Sequence, residues 1–167
     1  AYYNMGNALM DKGDLEAAID SYKQAIRINP DFAEAYNNTG NALQKKGDLE
    51  SAIDSYQQAL KIKLDFADTY YNMGNALKDK GDLDAAIVSF NKALKIKPDF
   101  AEAFNNMGNT LKDKGDLDAA IDSYKQALKI KPDYAEALSQ AWFLAGMISD
   151  WEYTKALEKE LESDLLK

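Results

Sequence analysis

Eight of the nine glycines fall in pairs seven residues apart, Gly6/Gly13, Gly40/Gly47, Gly74/Gly81 and Gly108/Gly115, and each pair follows the last by 34 residues. Other residues keep the same interval. Ala18, Ala52, Ala86 and Ala120 form one series, Ala25, Ala59, Ala93 and Ala127 a second, and the aromatics Tyr22, Tyr56, Phe90 and Tyr124 a third. Pro30, Pro98 and Pro132 are spaced to match, with Leu64 where a fourth proline is due. Self-similarity at a fixed period of about 20–50 residues marks a chain made by stacking one supersecondary unit. Four units are expected over residues 1–134 (1–32, 33–66, 67–100 and 101–134), with a divergent C-terminal capping helix pair over 135–167.

Within a unit the pattern is helical. Asp99 reads as an N-cap and Glu102, three residues on, completes a capping box; Asp31/Glu34, Asp65/Asp68 and Asp133/Glu136 repeat the signature. A first helix to about Lys114 then buries Ala103, Phe104, Met107 and Leu111 at helical spacing. Gly115 supplies the left-handed residue that ends it, and Asp116 caps a second helix. That helix buries Leu117, Ala120, Ile121, Tyr124, Ala127, Leu128 and Ile130 and stops before Pro132, which has no amide hydrogen. Helices of about 14 residues are marginal alone, so each unit must bury its apolar stripe against its neighbours. The fold expected is an all-α solenoid of antiparallel helix pairs. Gly108 and its equivalents lie mid-helix, at a cost of up to ~1 kcal/mol each relative to alanine. They are expected to let the paired helix approach, with Ala120 answering from the second helix. A phosphate loop is excluded, because neither GxxxxGK[ST] nor GxGxxG occurs.

Composition narrows the chemistry. The chain has no Cys and no His, which removes disulfides, thiolate or zinc-finger metal sites, Cys nucleophiles and His acid–base catalysis. Its 20 Lys plus Arg against 28 Asp plus Glu give a net charge of −8, the wrong sign for nucleic acid or anionic membranes. The longest apolar run, Ala141 to Ile148, is far short of the roughly 20 residues of a membrane span. Each unit's acids are accounted for as caps or solvated pairs (Asp82, Asp84 and Asp116 among them), and no Gly-x-Ser-x-Gly or calcium-loop spacing occurs. No enzyme, no metal and no cofactor are expected. A cytoplasmic setting is expected, with neither nucleic acid nor membrane insertion among the partners. The chain opens Ala1-Tyr2-Tyr3-Asn4-Met5 without an initiator Met and is expected to be a fragment.

The 34-residue helix–turn–helix unit, with Gly, Ala, aromatic, Ala and Pro at these offsets, resembles the tetratricopeptide repeat (TPR) family. The resemblance implies a right-handed superhelix whose first helices line a concave groove that holds partner peptides. The polar face of those helices follows from their period. It carries Glu102, Asn105, Asn106, Asn109, Lys112 and Asp113 in the fourth unit, and Asp68, Tyr71, Asn72, Asn75, Lys78 and Asp79 in the third. The second has Glu34, Asn37, Asn38, Asn41, Gln44 and Lys45; the first has Tyr3, Asn4, Asn7, Met10 and Asp11. Two asparagines recur in each unit, Asn4/Asn7, Asn38/Asn41, Asn72/Asn75 and Asn106/Asn109, although asparagine prefers caps and turns to helix interiors. A carboxamide offers a donor and an acceptor, matching one peptide group of an extended chain. Tyr3 and Tyr71 alternate with Asn37 and Asn105 along the adjoining row and add flat contact area. The competing account is that the asparagines are soluble inner-face residues preserved by recent duplication of one unit.

The segment Ala103-Phe104-Asn105-Asn106-Met107-Gly108-Asn109-Thr110-Leu111-Lys112 further resembles the TPR arm of O-GlcNAc transferase and bacterial TPR relatives. That resemblance implies groove asparagines contacting a peptide backbone, Asn4, Asn38, Asn72 and Asn106 first, then Asn7, Asn41, Asn75 and Asn109. Groove charge is mixed, Lys45, Lys78 and Lys112 against Asp11, Asp79 and Asp113, so no sign preference for a ligand follows. The function expected is a scaffold binding an extended peptide in an asparagine-lined groove. The alternatives are a substrate-recruiting arm of a larger transferase-like enzyme and a self-associating spacer.

Both ends depart from the repeat. Trp142 stands at the position of Gly108, Ser149 replaces the turn glycine, and Asp150 is expected to cap a last helix, Trp151 to about Leu166, with Thr154 at the close-packing position. Phe143 and Met147 are expected either to fold onto that helix or to form a docking surface. At the other end Tyr2, Met5 and Leu9 lack a polar cover, so fraying or self-association through this end is expected.

Overall fold

The computed structural model describes residues 1–147, and among them all regular structure is α-helical. The helices are α1 (Tyr2–Asp11), α2 (Leu15–Ile28), α3 (Ala33–Lys46), α4 (Leu49–Ile62), α5 (Ala67–Lys80), α6 (Leu83–Ile96), α7 (Ala101–Lys114), α8 (Leu117–Ile130) and α9 (Ala135–Met147). The expected last helix, with Asp150 and Thr154, lies outside the described residues. Two compact bodies divide the chain, the first over Ala1–Ile96 and the second beginning at Lys97. In the first, α1 packs on α2, α3 on α4 and α5 on α6, the hairpins stack through α2 on α3 and α4 on α5, and α3 also touches α1 and α5. In the second, α7 packs on α8 and α8 on α9.

The turn inside each hairpin uses one residue twice. Gly47, Gly81 and Gly115 sit at φ of 88°, 89° and 90°, a region open to glycine because it lacks Cβ. Gly47 N–H donates to the Gln44 carbonyl at 2.9 Å and Asp48 N–H to the Leu43 carbonyl at 3.0 Å, closing the first helix. The Asp48 carboxylate then accepts from Ser51 N–H at 3.2 Å and opens the second. Asp14, Asp82 and Asp116 do the same for Ala17, Ala85 and Ala119, each at 3.2 Å.

Between hairpins the expected capping box does not form. The N-caps of α3, α5 and α7 are Phe32, Phe66 and Phe100, with no side-chain cap bond, so Asp31, Asp65 and Asp99 stand one residue too early to cap. Tyr3 packs on Phe32 with ring centroids 4.8 Å apart, and Lys63 and Lys97 lie 4.5 and 4.3 Å above the Phe66 and Phe100 rings. Of the expected core, Ile130 is exposed, as are Ile28, Ile62 and Ile96 in the last turns of the other second helices.

Nor does proline stop the second helix. Helix α4 ends at Ile62 with Leu64 beyond it, and Lys63 adopts φ −131°, ψ 96°, against φ −132°, ψ 95° for Asn29 before Pro30. Lys63 therefore already has the backbone of a residue that precedes proline, and the Leu64 side chain is 75% exposed. Leu64→Pro is expected to stabilise the protein by about 0.4–1 kcal/mol, by restricting the unfolded chain. Urea denaturation followed by circular dichroism checks this; a loss of stability would mean that the Leu64 amide is needed.

Candidate functional site

The mid-helix glycines are packing residues, but their partner is not the expected alanine. A Cβ on Gly6, Gly40, Gly74 or Gly108 would lie 2.4–2.7 Å from a ring carbon of Tyr22, Tyr56, Phe90 or Tyr124. The aromatic ring of the second helix thus packs against bare backbone of the first, and its para position is carried through to the polar face. Three of the four rings end there in a hydroxyl, which donates to an asparagine. Tyr22 Oη–H bonds Asn7 Oδ1 at 2.8 Å, Tyr56 Oη–H bonds Asn41 Oδ1 at 2.8 Å, and Tyr124 Oη–H bonds Asn109 Oδ1 at 2.7 Å. Gln44 Oε1 is a second acceptor for Tyr56 at 3.0 Å. These asparagines have one amide oxygen committed inward, which fixes the amide plane and turns the –NH2 group into what each can offer a ligand. Burial pushes the Tyr56 and Tyr124 phenols well above the usual range near 10; Tyr22 is raised too, by burial first.

The other asparagine row splits. Asn4 is exposed, and Asn38, Asn72 and Asn106 are half-buried. Asn38 Nδ2 donates to Tyr3 Oη at 3.1 Å and to Asn7 Oδ1 at 3.0 Å, so it ties α3 to α1. Asn72 Nδ2 donates to Asn37 Oδ1 at 3.2 Å, leaving its own oxygen as an acceptor. Asn75 and Asn106 are half-buried and engaged in interactions of their own.

Asn37 and Asn105 are not groove contacts, which corrects the expectation for that row. They are 7% and 0% exposed, and Asn37 lies in the seam between α3 and α5. Asn37 Oδ1 accepts from Thr69 Oγ1 at 3.0 Å as well as from Asn72, and Asn37 Nδ2 donates to Asn38 Oδ1 at 3.1 Å. Asn105 Nδ2 donates to Asn106 Oδ1 at 3.3 Å, but Asn105 Oδ1 is buried with no partner. The repeat explains this: Ala137 and Gln140 stand where Thr69 and Asn72 stand two units earlier, so the hydroxyl donor is absent. Gln140 Oε1 is itself taken by Lys112 Nζ at 2.8 Å. Tyr3 and Tyr71 are half-buried; Tyr3 stacks on Tyr22 and Phe32, and Tyr71 on Phe90 with centroids 6.1 Å apart. Both are partly spent on packing.

In the first body the polar face opens into a recess of about 410 Å³ lined by Met10, Asn41, Gln44, Lys45 and Asn72. All five lie on the polar face expected from the helical period, Asn41 and Asn72 as expected peptide contacts and Met10, Gln44 and Lys45 as other residues of the same stripe. Gln44 Nε2 donates across to Asp79 Oδ2 at 3.0 Å, joining α3 to α5. In the second body Asn109 Nδ2 reaches Glu136 Oε1 at 3.3 Å. Phe143 and Met147 on α9 are exposed among the described residues, and the helix expected to cover them lies beyond those. Among the described residues no group of three or more acidic side chains converges to hold a metal, and no helix is long and apolar enough to cross a membrane.

Helical hairpins stacked in register, closed by the same Gly-Asp turn and packed through the same Gly–aromatic contact, define a helical-repeat scaffold of the all-α solenoid class. TPR repeat models match residues 6–47, 40–81 and 74–115, and a tetratricopeptide repeat model matches 101–134. The chain belongs to the tetratricopeptide repeat family, a protein-interaction scaffold. The crystal structure of MamA superposes with a TM-score of 0.84 at 26% identity, over 95% of this chain and 94% of that one. YrrB, described as a TPR protein with an unusual peptide-binding site, matches with a TM-score of 0.76 at 27% identity, over 94% of this chain and 80% of that one. Pseudomonas aeruginosa PilF shares the fold, with a TM-score of 0.84 at 17% identity over 97% of this chain and 74% of that one. No curated protein sequence matches significantly.

Proposed function

We propose that the chain is an adaptor that binds an extended polypeptide on the polar face of its first helices, gripping the backbone through asparagine. The observation that carries this is the recess holding Asn41 and Asn72, whose amides are pre-oriented by internal hydrogen bonds. Asparagine in a helix interior is a poor choice for stability, and an amide held in one orientation loses little entropy when a ligand arrives. Similarity to YrrB, whose description includes a peptide-binding site, points the same way.

The test begins with random dodecapeptides displayed on phage and selected on the immobilised protein. A selected peptide is then titrated by calorimetry against the native chain and an Asn41→Ala/Asn72→Ala variant. Gln44 keeps an acceptor for Tyr56, and Thr69 keeps a donor for Asn37, so the variant is expected to fold. Affinity is expected to fall about 30-fold, from ~1 kcal/mol for each of two lost hydrogen bonds. Unchanged affinity, with amide NMR shifts confined to α2 and α4, would move binding to the opposite face and overturn the reading.

A further inference from the structure

The recess in the first body holds one charge that the fold does not use. Lys46, Lys63 and Lys80 pair with Glu16, Glu34 and Glu50. Lys45 makes no ion pair with any described residue, yet it lines the recess. Asp11 and Asp79 hold its register position in α1 and α5, so Lys45 is the cation in a row of acids, and Asp79 is engaged by Gln44. Lys45 and Lys46 both lie in the last turn of α3, so the favourable charge at that helix end does not depend on Lys45 alone.

The two asparagines beside Lys45 differ in what they leave open. Tyr56 donates to the oxygen of Asn41, whose N–H groups stay available as donors; Asn72 spends one N–H on Asn37, and its oxygen stays available as an acceptor. A donor and an acceptor on neighbouring helices match the C=O and N–H of an extended chain. Met10 adds an adaptable apolar contact at the edge. We infer that the recess selects an acidic residue of a bound peptide, with Asn41 and Asn72 holding its backbone and Lys45 Nζ receiving the Asp or Glu carboxylate. The inference rests on the peptide-binding reading above and adds the chemical class of the segment. The net charge of −8 opposes it only at range, since exposed charges are screened beyond about 8 Å at physiological ionic strength. Contact with Lys45 is the term that differs between ligands.

The test uses three synthetic nonapeptide libraries, capped at both ends, randomised except for a central Glu, Ala or Lys. Binding is measured by competition with a labelled selected peptide, while NMR follows the Asn41 and Asn72 side-chain amides. The Glu library is expected to bind up to about fivefold more tightly than Ala, with Lys the weakest, as for a solvent-accessible ion pair. The order is expected to reverse in Lys45→Glu, and the spread to shrink as salt is raised. Equal binding by all three, with the two amides still perturbed, would overturn the acidic preference and leave the peptide reading standing. A preference for the Lys library would overturn it too. Amides unmoved by every library would defeat both readings.

Discussion

Truncating Tyr56 to alanine is expected to cost about 3–5 kcal/mol, and adding a single methyl group at Gly40 to cost about 1–2 kcal/mol, for one shared reason. The Tyr56 side chain is 0% exposed, packed among Ala52, Ile53 and Ala76, and bonded at its hydroxyl to Asn41 and Gln44. It is held at both ends. An alanine Cβ at Gly40 would stand 2.5, 2.7 and 2.9 Å from the Tyr56 ring carbons, so the ring or the helix must move. Alanine gains at most ~1 kcal/mol of helix propensity over glycine, while overpacking a full core costs ~1–3 kcal/mol and occasionally more. The clash therefore wins. In the double variant Gly40→Ala/Tyr56→Ala the ring is gone, and the alanine at Gly40 is expected to become stabilising. Guanidinium denaturation of the four proteins measures the coupling. Additive effects would show that the ring is not what the glycine accommodates.

Alkaline pH is expected to unfold the protein through the same rings. Tyr56 and Tyr124 are buried, and burial raises both phenol pKa values above the unfolded value near 10. The folded state then holds two protons that the unfolded state gives up, so the stability contributed is complete below pH 10 and declines above it. The slope is about 1.4 kcal/mol per pH unit for each tyrosine, or about 2.7 kcal/mol per unit for the two, until the folded pKa values are reached. Phe90 occupies the equivalent place in the third hairpin and contributes nothing, which makes it the built-in control. Denaturation midpoints between pH 8 and 12 are expected to fall steeply above 10 in the native chain. In Tyr56→Phe/Tyr124→Phe most of that fall should disappear, with somewhat lower stability at pH 8 from the two lost hydrogen bonds. A variant as base-sensitive as the native chain would show that these two phenols do not drive the transition.

The local structure was legible in the chain itself. Gly47, Gly81 and Gly115 end their helices, and Asp48 and Asp116 begin the next, because a left-handed turn needs a residue without Cβ and a carboxylate is a good acceptor for a first-turn amide. Both are decided within a few residues of chain. The misreadings share a different character. Asp31 and Asp99 carry a cap signature, but the N-cap position falls to Phe32 and Phe100, and Phe32 there packs on Tyr3 of α1. Size alone pairs Ala120 with Gly108, whereas the contact is made by Tyr124, which reaches further. Pro132 is a sequence signal for a stop, yet α4 ends at Ile62 with Leu64 in the equivalent place.

The polar face divides along the same line. Sequence alone determined that asparagines occupy one stripe of each first helix, since residues three, four and seven apart lie on one side of an α-helix whatever it packs against. Only the tertiary structure decided what each asparagine does. Asn37 and Asn38 are adjacent in the chain, yet one is buried against Thr69 and the other half-buried against Tyr3 and Asn7. Asn41 shows its nitrogen and Asn72 its oxygen because their partners, Tyr56 and Asn37, are 15 and 35 residues away. A helical period fixes the angle of a side chain about its own axis. The depth of that side chain, and which end of its amide is left for a ligand, are fixed by helices that only folding brings alongside.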